Sequence, residues 1–154
     1  AAHFAAAAER HRAGNLATAE AGYREVIAVV PDHFDALQHL ALLLLQKGAF
    51  NDAKVCVDRA IDVRPASASA YCNRGNILAQ LSNFEEALRS YDRAIALDTH
   101  HAIALNNRGN VLRRLGRHAE ALESYEQAVA TEPGYAQAVK NRDAALREME
   151  TVPA

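Results

Sequence analysis

Tyr71-Cys72-Asn73-Arg74-Gly75-Asn76 returns 34 residues later as Leu105-Asn106-Asn107-Arg108-Gly109-Asn110, and Asn141-Arg142 follows after another 34. Laid over one another, residues 68–101 and 102–135 agree at 15 of 34 positions, among them Ala87 with Ala121, Tyr91 with Tyr125 and Ala94 with Ala128. Self-similarity at a fixed period of roughly 20–50 residues marks a solenoid, in which each unit buries its apolar face only against its neighbours. The echo decides the architecture, and the question becomes what the stacked surface binds.

Within each unit the apolar residues recur at spacings of three and four, the helical period, in two segments separated by a short turn. In the third unit Tyr71, Leu78 and Leu81 mark a first helix, and Phe84, Ala87, Leu88, Tyr91, Ala94 and Ile95 a second. The turn between them falls at Ser82-Asn83, where the other units hold Gly14, Gly48 and Gly116. A residue without Cβ enters the left-handed conformation that ends a helix, and Asn83 is expected to take it in unit three. Ala19, Ala53, Ala87 and Ala121 fall where the two helices cross closest, since a larger side chain would push them apart. Pro31, Pro65 and Pro133, with Thr99 as the departure, punctuate the second helices. The units run over residues 1–33, 34–67, 68–101 and 102–135. Residues 136–150 continue the register as an amphipathic capping helix with the polar outer face a terminal unit needs, and 151–154 read as a tail or linker.

The chain has 154 residues, half of them hydrophobic, which is about one domain. Seventeen basic residues against 19 acidic give a net charge of -2. That balance offers no general field for a polyanion, which excludes nucleic acid as the expected partner. The longest apolar run, Leu40 to Leu45, is far short of the roughly 18–20 residues of a membrane span, so no membrane insertion is expected. Cys56 and Cys72 have neither zinc spacing nor the number needed for a disulfide framework, which points to a reducing, cytoplasmic setting. Ala1 in place of Met leads to the expectation of a piece cut from a longer chain. The seven His residues lack the i, i+4 spacing and acidic partner of a helical metal site, and no phosphate loop or nucleophile elbow is present. The reading is of a non-enzyme with no metal and no cofactor.

The pattern resembles the tetratricopeptide repeat family, whose unit carries a large residue, Leu-Gly, Tyr, Ala, Phe or Tyr, Ala and Pro at fixed places. Here those places are filled best by Tyr71, Gly75, Leu78, Ala87, Tyr91 and Ala94, then by Leu105, Gly109, Leu112, Ala121, Tyr125, Ala128 and Pro133. The first unit departs from it, with His3 at the aromatic place and Arg10 at a core place. The resemblance implies an all-α, right-handed superhelical solenoid of four helix-turn-helix repeats plus a cap, with the first helix of each repeat lining a concave groove. Projected onto this sequence, the groove takes Asp35, Gln38, His39, Leu42, Leu45 and Gln46 from unit two, and Ser69, Cys72, Asn73, Asn76 and Gln80 from unit three. Unit four adds Asn106, Asn107, Asn110, Arg113 and Arg114, and the cap adds Lys140, Asn141, Ala144 and Arg147.

A carboxamide offers one acceptor and two donors, so it pairs with either main-chain group of an extended peptide. Asn73, Asn107 and Asn141 fall at one angular place in successive units and form a ladder, similar to that of O-linked N-acetylglucosamine transferases; it stops at His39 and Ala5. Asn76 and Asn110 form a shorter one. Two readings of the ladder stand side by side: a grip on peptide main chain, or bonding from one repeat to the next. The clamp that chaperone-binding relatives use for a terminal carboxylate is absent, since Gln38, Leu42 and Ile103 stand at places it needs. Arg113, Arg114, Lys140 and Arg147 make the carboxyl-terminal half of the groove basic, while Phe4, Leu42 and Leu45 make the other half apolar. Arg74 and Arg108 are expected to lay their stems along the helix surface and keep their charges in water. The function that follows is a protein-protein interaction scaffold binding an extended peptide segment. The alternatives are a substrate-presenting region of a larger enzyme, such as a bacterial glycosyltransferase, and a module that associates with itself into a homo-oligomer.

Overall fold

In the computed structural model, which describes residues 2–151, nine helices follow one another. They are α1 (Ala2–Arg12), α2 (Leu16–Val29), α3 (Phe34–Gln46), α4 (Phe50–Val63), α5 (Ala68–Gln80), α6 (Phe84–Leu97), α7 (Ala102–Arg114), α8 (His118–Thr131) and α9 (Ala136–Thr151). Of the anticipated tail, Thr151 belongs to α9, and residues 152–154 lie outside those described.

Each hairpin turns in the same way. The second residue beyond the first helix takes positive φ, at 80° for Gly14, 78° for Gly48 and 74° for Gly116. The residue after it returns its N–H to the helix, as in Asn15 to the Arg10 carbonyl, Ala49 to Leu44, Asn83 to Leu78 and Arg117 to Leu112. These bonds satisfy carbonyls that a helix end leaves orphaned. In unit three the left-handed residue is Ser82, at φ 60°, and not Asn83 as the sequence led us to expect. Position within the turn decides this: Asn83 already stands at the N-cap of α6 with φ -85°. The opposite helix starts are capped by side chains, with Ser67 Oγ accepting from the Ala70 amide and His33 and His101 Nδ1 accepting from Ala36 and Ala104.

The two helices of a repeat close on each other over small residues. Ala19, Ala53, Ala87 and Ala121 are all fully buried. Gly75 and Gly109 carry the ring of a tyrosine from the second helix directly on their backbone: a Cβ on Gly75 would lie 2.5 Å from Tyr91, and one on Gly109 2.6 Å from Tyr125. In unit one the small residue at closest approach is on the second helix, Gly22, which receives Ala7.

Successive odd-numbered helices touch one another from α1 through α9, whereas none of α2, α4, α6 and α8 touches another of that set. The odd layer is therefore the inner, tighter one, and the even layer is splayed on the outside. Arg74 and Arg108 correct the expectation that they reach into water. Arg74 donates to Asp58 Oδ1 at 2.8 Å on α4 and to Ser90 Oγ at 2.9 Å on α6. Arg108 does the same between Asp92 on α6 and Ser124 on α8. The planar fork lets one residue of an inner helix bridge two outer ones.

Gly75→Ala should cost about 1–3 kcal/mol, because the tyrosine ring must move off α5. Gly134, around which a Cβ would meet nothing within 4 Å, serves as the control, and its alanine variant should stay within about 0.5 kcal/mol of the parent. Urea denaturation measures both; equal losses would contradict the packing described.

Candidate functional site

The ring that rests on Gly75 also carries a hydroxyl. Tyr91 Oη donates to Asn76 Oδ1 at 2.8 Å, and Asn107 Nδ2, from the next repeat, donates to the same oxygen at 2.9 Å. One repeat on, Tyr125 Oη donates to Asn110 Oδ1 at 2.9 Å and Asn141 Nδ2 reaches that oxygen at 3.1 Å. A carboxamide oxygen has two lone pairs, and both are taken in each case. The orientation of Asn76 and Asn110 is fixed by this, with their NH2 groups making no bond among the described residues. The phenol hydroxyls are correspondingly hard to ionise, burial being the chief cause for both Tyr91 and Tyr125.

The longer ladder points sideways. Asn73 Nδ2 donates to Gln38 Oε1 at 2.8 Å, and Asn141 Nδ2 also donates to Asn106 Oδ1 at 2.8 Å. The oxygens are engaged as well, Asn107 accepting from Asn106 at 3.1 Å and Asn141 from Gln137 at 2.9 Å. Each amide of Asn73, Asn107 and Asn141 thus bonds to the preceding repeat, which is the geometry of the second reading of that ladder.

An open pocket of 620 Å³ lies where α3, α5 and α7 run side by side. It brings together Leu45, Asn76, Asn107, Asn110 and Arg114 from the anticipated set, with Gln46 and Gln80. Phe50 and Tyr91 join them from the outer helices; the apolar pattern assigned Tyr91 to the core alone. Gln38, Leu42, Asn73, Arg113, Lys140 and Asn141 are not among its walls. Gln38 is 7% exposed and donates to Ser69 Oγ, so it is spent on the contact between units two and three. Cys72 and Asn106 are also buried rather than groove-lining, because their helix face turns toward the neighbouring repeat. Leu42 stands exposed, while Leu45 packs on the cluster that includes Ile77. Among the cations, Arg113 lies 3.6 Å from Glu148 and Arg114 stacks 4.7 Å over the Phe84 ring. Lys140 and Arg147 are exposed and make no ion pair among the described residues.

Charge is divided between the layers. Helices α3, α5 and α7 hold a single carboxylate, Asp35, against Arg74, Arg108, Arg113 and Arg114. Helices α2, α4, α6 and α8 hold eleven acidic residues. Along α3, α5 and α7 the inner wall thus offers N–H donors with one carboxylate beside them, whereas α1 carries Glu9 and α9 carries Asp143, Glu148 and Glu150.

Reactive chemistry has little to work with here. Burial pushes the Cys72 thiol up to about 12, which keeps it protonated and poorly nucleophilic near neutrality. Burial raises Cys56 as well. Among the described residues no three His, Cys, Asp or Glu side chains converge on a point where they could hold a metal ion, and no helix is long and apolar enough to cross a membrane.

Asn141→Ala would leave the oxygens of Asn106 and Asn110 each short of a donor. We expect a loss of about 1–3 kcal/mol, with the amides of α9 exchanging faster relative to those of α5. Hydrogen exchange followed by mass spectrometry reads this, and unchanged protection of α9 would show that the carboxamide bonds do not hold the cap.

A search of curated proteins returned no match. Among solved structures, a crystal structure of MamA protein superposes with a TM-score of 0.82 at 25% identity, covering 96% of this chain and 86% of that one. The second tetratricopeptide domain of human RPAP3, solved in complex with the HSP70 peptide SGPTIEEVD, gives 0.66 at 28% identity over 71% of this chain and 91% of its own. YrrB, described as having an unusual peptide-binding site, gives 0.76 at 21% identity over 96% of this chain and 76% of its own, a likeness of fold. The Tetratricopeptide repeat family itself matches residues 4–53, 40–100 and 72–138. With the repeated hairpins, the Gly-on-Tyr contacts and the match along most of its length, the chain belongs to the tetratricopeptide repeat family.

Proposed function

We propose that this repeat domain is a non-catalytic protein-interaction scaffold and that its inner groove holds an extended, acidic segment of a partner. The observation that carries the reading is the fixed orientation of Asn76 and Asn110. With both oxygens occupied by tyrosine and asparagine donors, these side chains offer a ligand N–H only. A main-chain carbonyl or a side-chain carboxylate suits such a surface, and a second donor does not. Arg114 in the same pocket and the single carboxylate of α3, α5 and α7 add the matching charge.

The peptide in the RPAP3 complex, SGPTIEEVD, is itself acidic toward its end. Here the residues of a terminal-carboxylate clamp are replaced, and Gln38 is buried. Acidic side chains within the segment, more than a free terminus, are what this groove is suited to read. Two free thiols, Cys56 and Cys72, are in keeping with a reducing compartment such as the cytoplasm.

Asn110→Asp separates donation from folding, because it keeps the oxygen that Tyr125 and Asn141 use and removes the NH2. Fluorescence anisotropy with labelled acidic, neutral and basic dodecapeptides should rank the acidic one tightest, with affinity falling as salt rises. Asn110→Asp and Arg114→Ala should each weaken it by roughly three- to tenfold, which is about 0.7–1.4 kcal/mol. Equal affinity for the three peptides, or indifference to both substitutions, would defeat the proposal.

A further inference from the structure

The arginine bridges that cross the outer layer are missing from its first gap. The α4–α6 gap is crossed by Asp58, Arg74 and Ser90, and the α6–α8 gap by Asp92, Arg108 and Ser124. One repeat earlier the same three places hold Arg24, Leu40 and Cys56. All three partners of the bridge have changed together, from acid, guanidinium and hydroxyl to groups that cannot make it. Arg24 turns back along its own helix to Glu20 at 2.9 Å.

The gap between α2 and α4 is left as an open trench of 650 Å³. Leu40 and Leu44, each 2% exposed, form its floor, Ile27, Ala28, Val55 and Cys56 its apolar sides, and Arg24, Asp52 and Arg59 its charged rim. Val55 is 60% exposed, a large apolar side chain held out on the outer surface. At the end of the trench Arg59 gives one N–H to the Pro31 carbonyl at 2.9 Å. Its remaining donors make no bond among the described residues.

We propose that this trench is a second docking site, independent of the inner groove, and that its occupant is an amphipathic helix of a partner protein. The walls decide the conformation of the occupant. An extended strand laid on Ile27, Ala28, Val55 and Cys56 would find nothing to satisfy its main-chain N–H and C=O groups, whereas a helix satisfies its own. From Arg24 to Ala28 the wall of α2 spans roughly 6 Å, about one helical turn, and Pro31 follows just past the helix. Two apolar side chains one turn apart fill that length over Leu40 and Leu44. The charge follows from Arg59 and Asp52, which both line the trench: Arg24 shares Glu20 with Lys47, so a carboxylate on the flank of the incoming helix pairs with the free donors of Arg59, and a cation toward the other end of that helix faces Asp52.

A labelled fourteen-residue helical peptide with leucines one turn apart and a flanking glutamate is the probe, with a second in which lysine replaces that glutamate. Amide shifts of the isotope-labelled protein should move in α2 and α4 around Ala28, Val55 and Arg59. Val55→Glu, at an exposed position where folding is not at stake, should weaken binding at least tenfold, and Arg59→Glu should reverse the preference to the lysine peptide. Grafting the missing bridge with Arg24→Asp, Leu40→Arg and Cys56→Ser should close the trench and abolish binding; if that variant does not fold, Val55→Glu decides. Shifts confined to α5 and α7, or no preference between the two peptides, would overturn the proposal. So would trench shifts that grow with protein concentration in the absence of peptide, which would make the occupant a second copy of this chain.

Discussion

A tyrosine ring packed against a glycine is the contact on which the carboxyl-terminal half of this molecule depends. Gly75 and Gly109 have no Cβ, so Tyr91 and Tyr125 reach across their hairpins and end in the inner layer. There each hydroxyl meets an asparagine oxygen, and the next repeat supplies a second donor to that same oxygen. One steric allowance within a hairpin thereby becomes a hydrogen-bonded joint between hairpins, and the joint in turn decides which atoms of Asn76 and Asn110 remain for a ligand. Packing, stacking and recognition are three consequences of one contact.

Much of this was legible in the chain. The 34-residue echo gave the hairpins and the register of small residues at the helix crossing, and the resemblance to the tetratricopeptide repeat family implied the side of the solenoid on which Asn76, Asn107 and Asn110 stand. Periodicity reports which face a residue occupies, and for these residues the face was enough. It does not report which atom of a carboxamide is engaged. Spacing therefore left two readings of Asn73, Asn107 and Asn141 side by side, and in the structure their amides are directed at the preceding repeat. Arg74 and Arg108 were misread for the same reason: their partners Asp58, Ser90, Asp92 and Ser124 lie 16 residues away on other helices, beyond any local spacing rule. Ser82 was missed because glycine and asparagine dominate left-handed positions, and here the turn's own bonds outweigh residue preference.

The two halves of the solenoid solve the same stacking problem with different chemistry. Units three and four join their outer helices through arginine, acid and serine and their inner helices through carboxamides. Units one and two combine Leu40, Leu44, Val57 and an aromatic group in which Phe4 packs against Tyr23, His33 and His39 with a few polar contacts at the rim, Lys47 to Glu20, His11 to Gln46 and Arg59 to the Pro31 carbonyl. Polar joints are directional and leave defined donors at the surface; apolar joints are not and leave apolar relief. A donor-lined inner groove at one end and an outer trench with an apolar floor at the other are the surfaces those two modes of joining leave behind.

The central claim is that the phenols hold Asn76 and Asn110 with their oxygens inward and their NH2 groups toward the groove. Solvent exchange of the four side-chain amide pairs, followed by NMR on the ligand-free protein, tests this most directly. The account predicts rapid exchange for Asn76 and Asn110 and slow exchange for Asn107 and Asn141. The reverse order, or a single rate shared by all four, would contradict it.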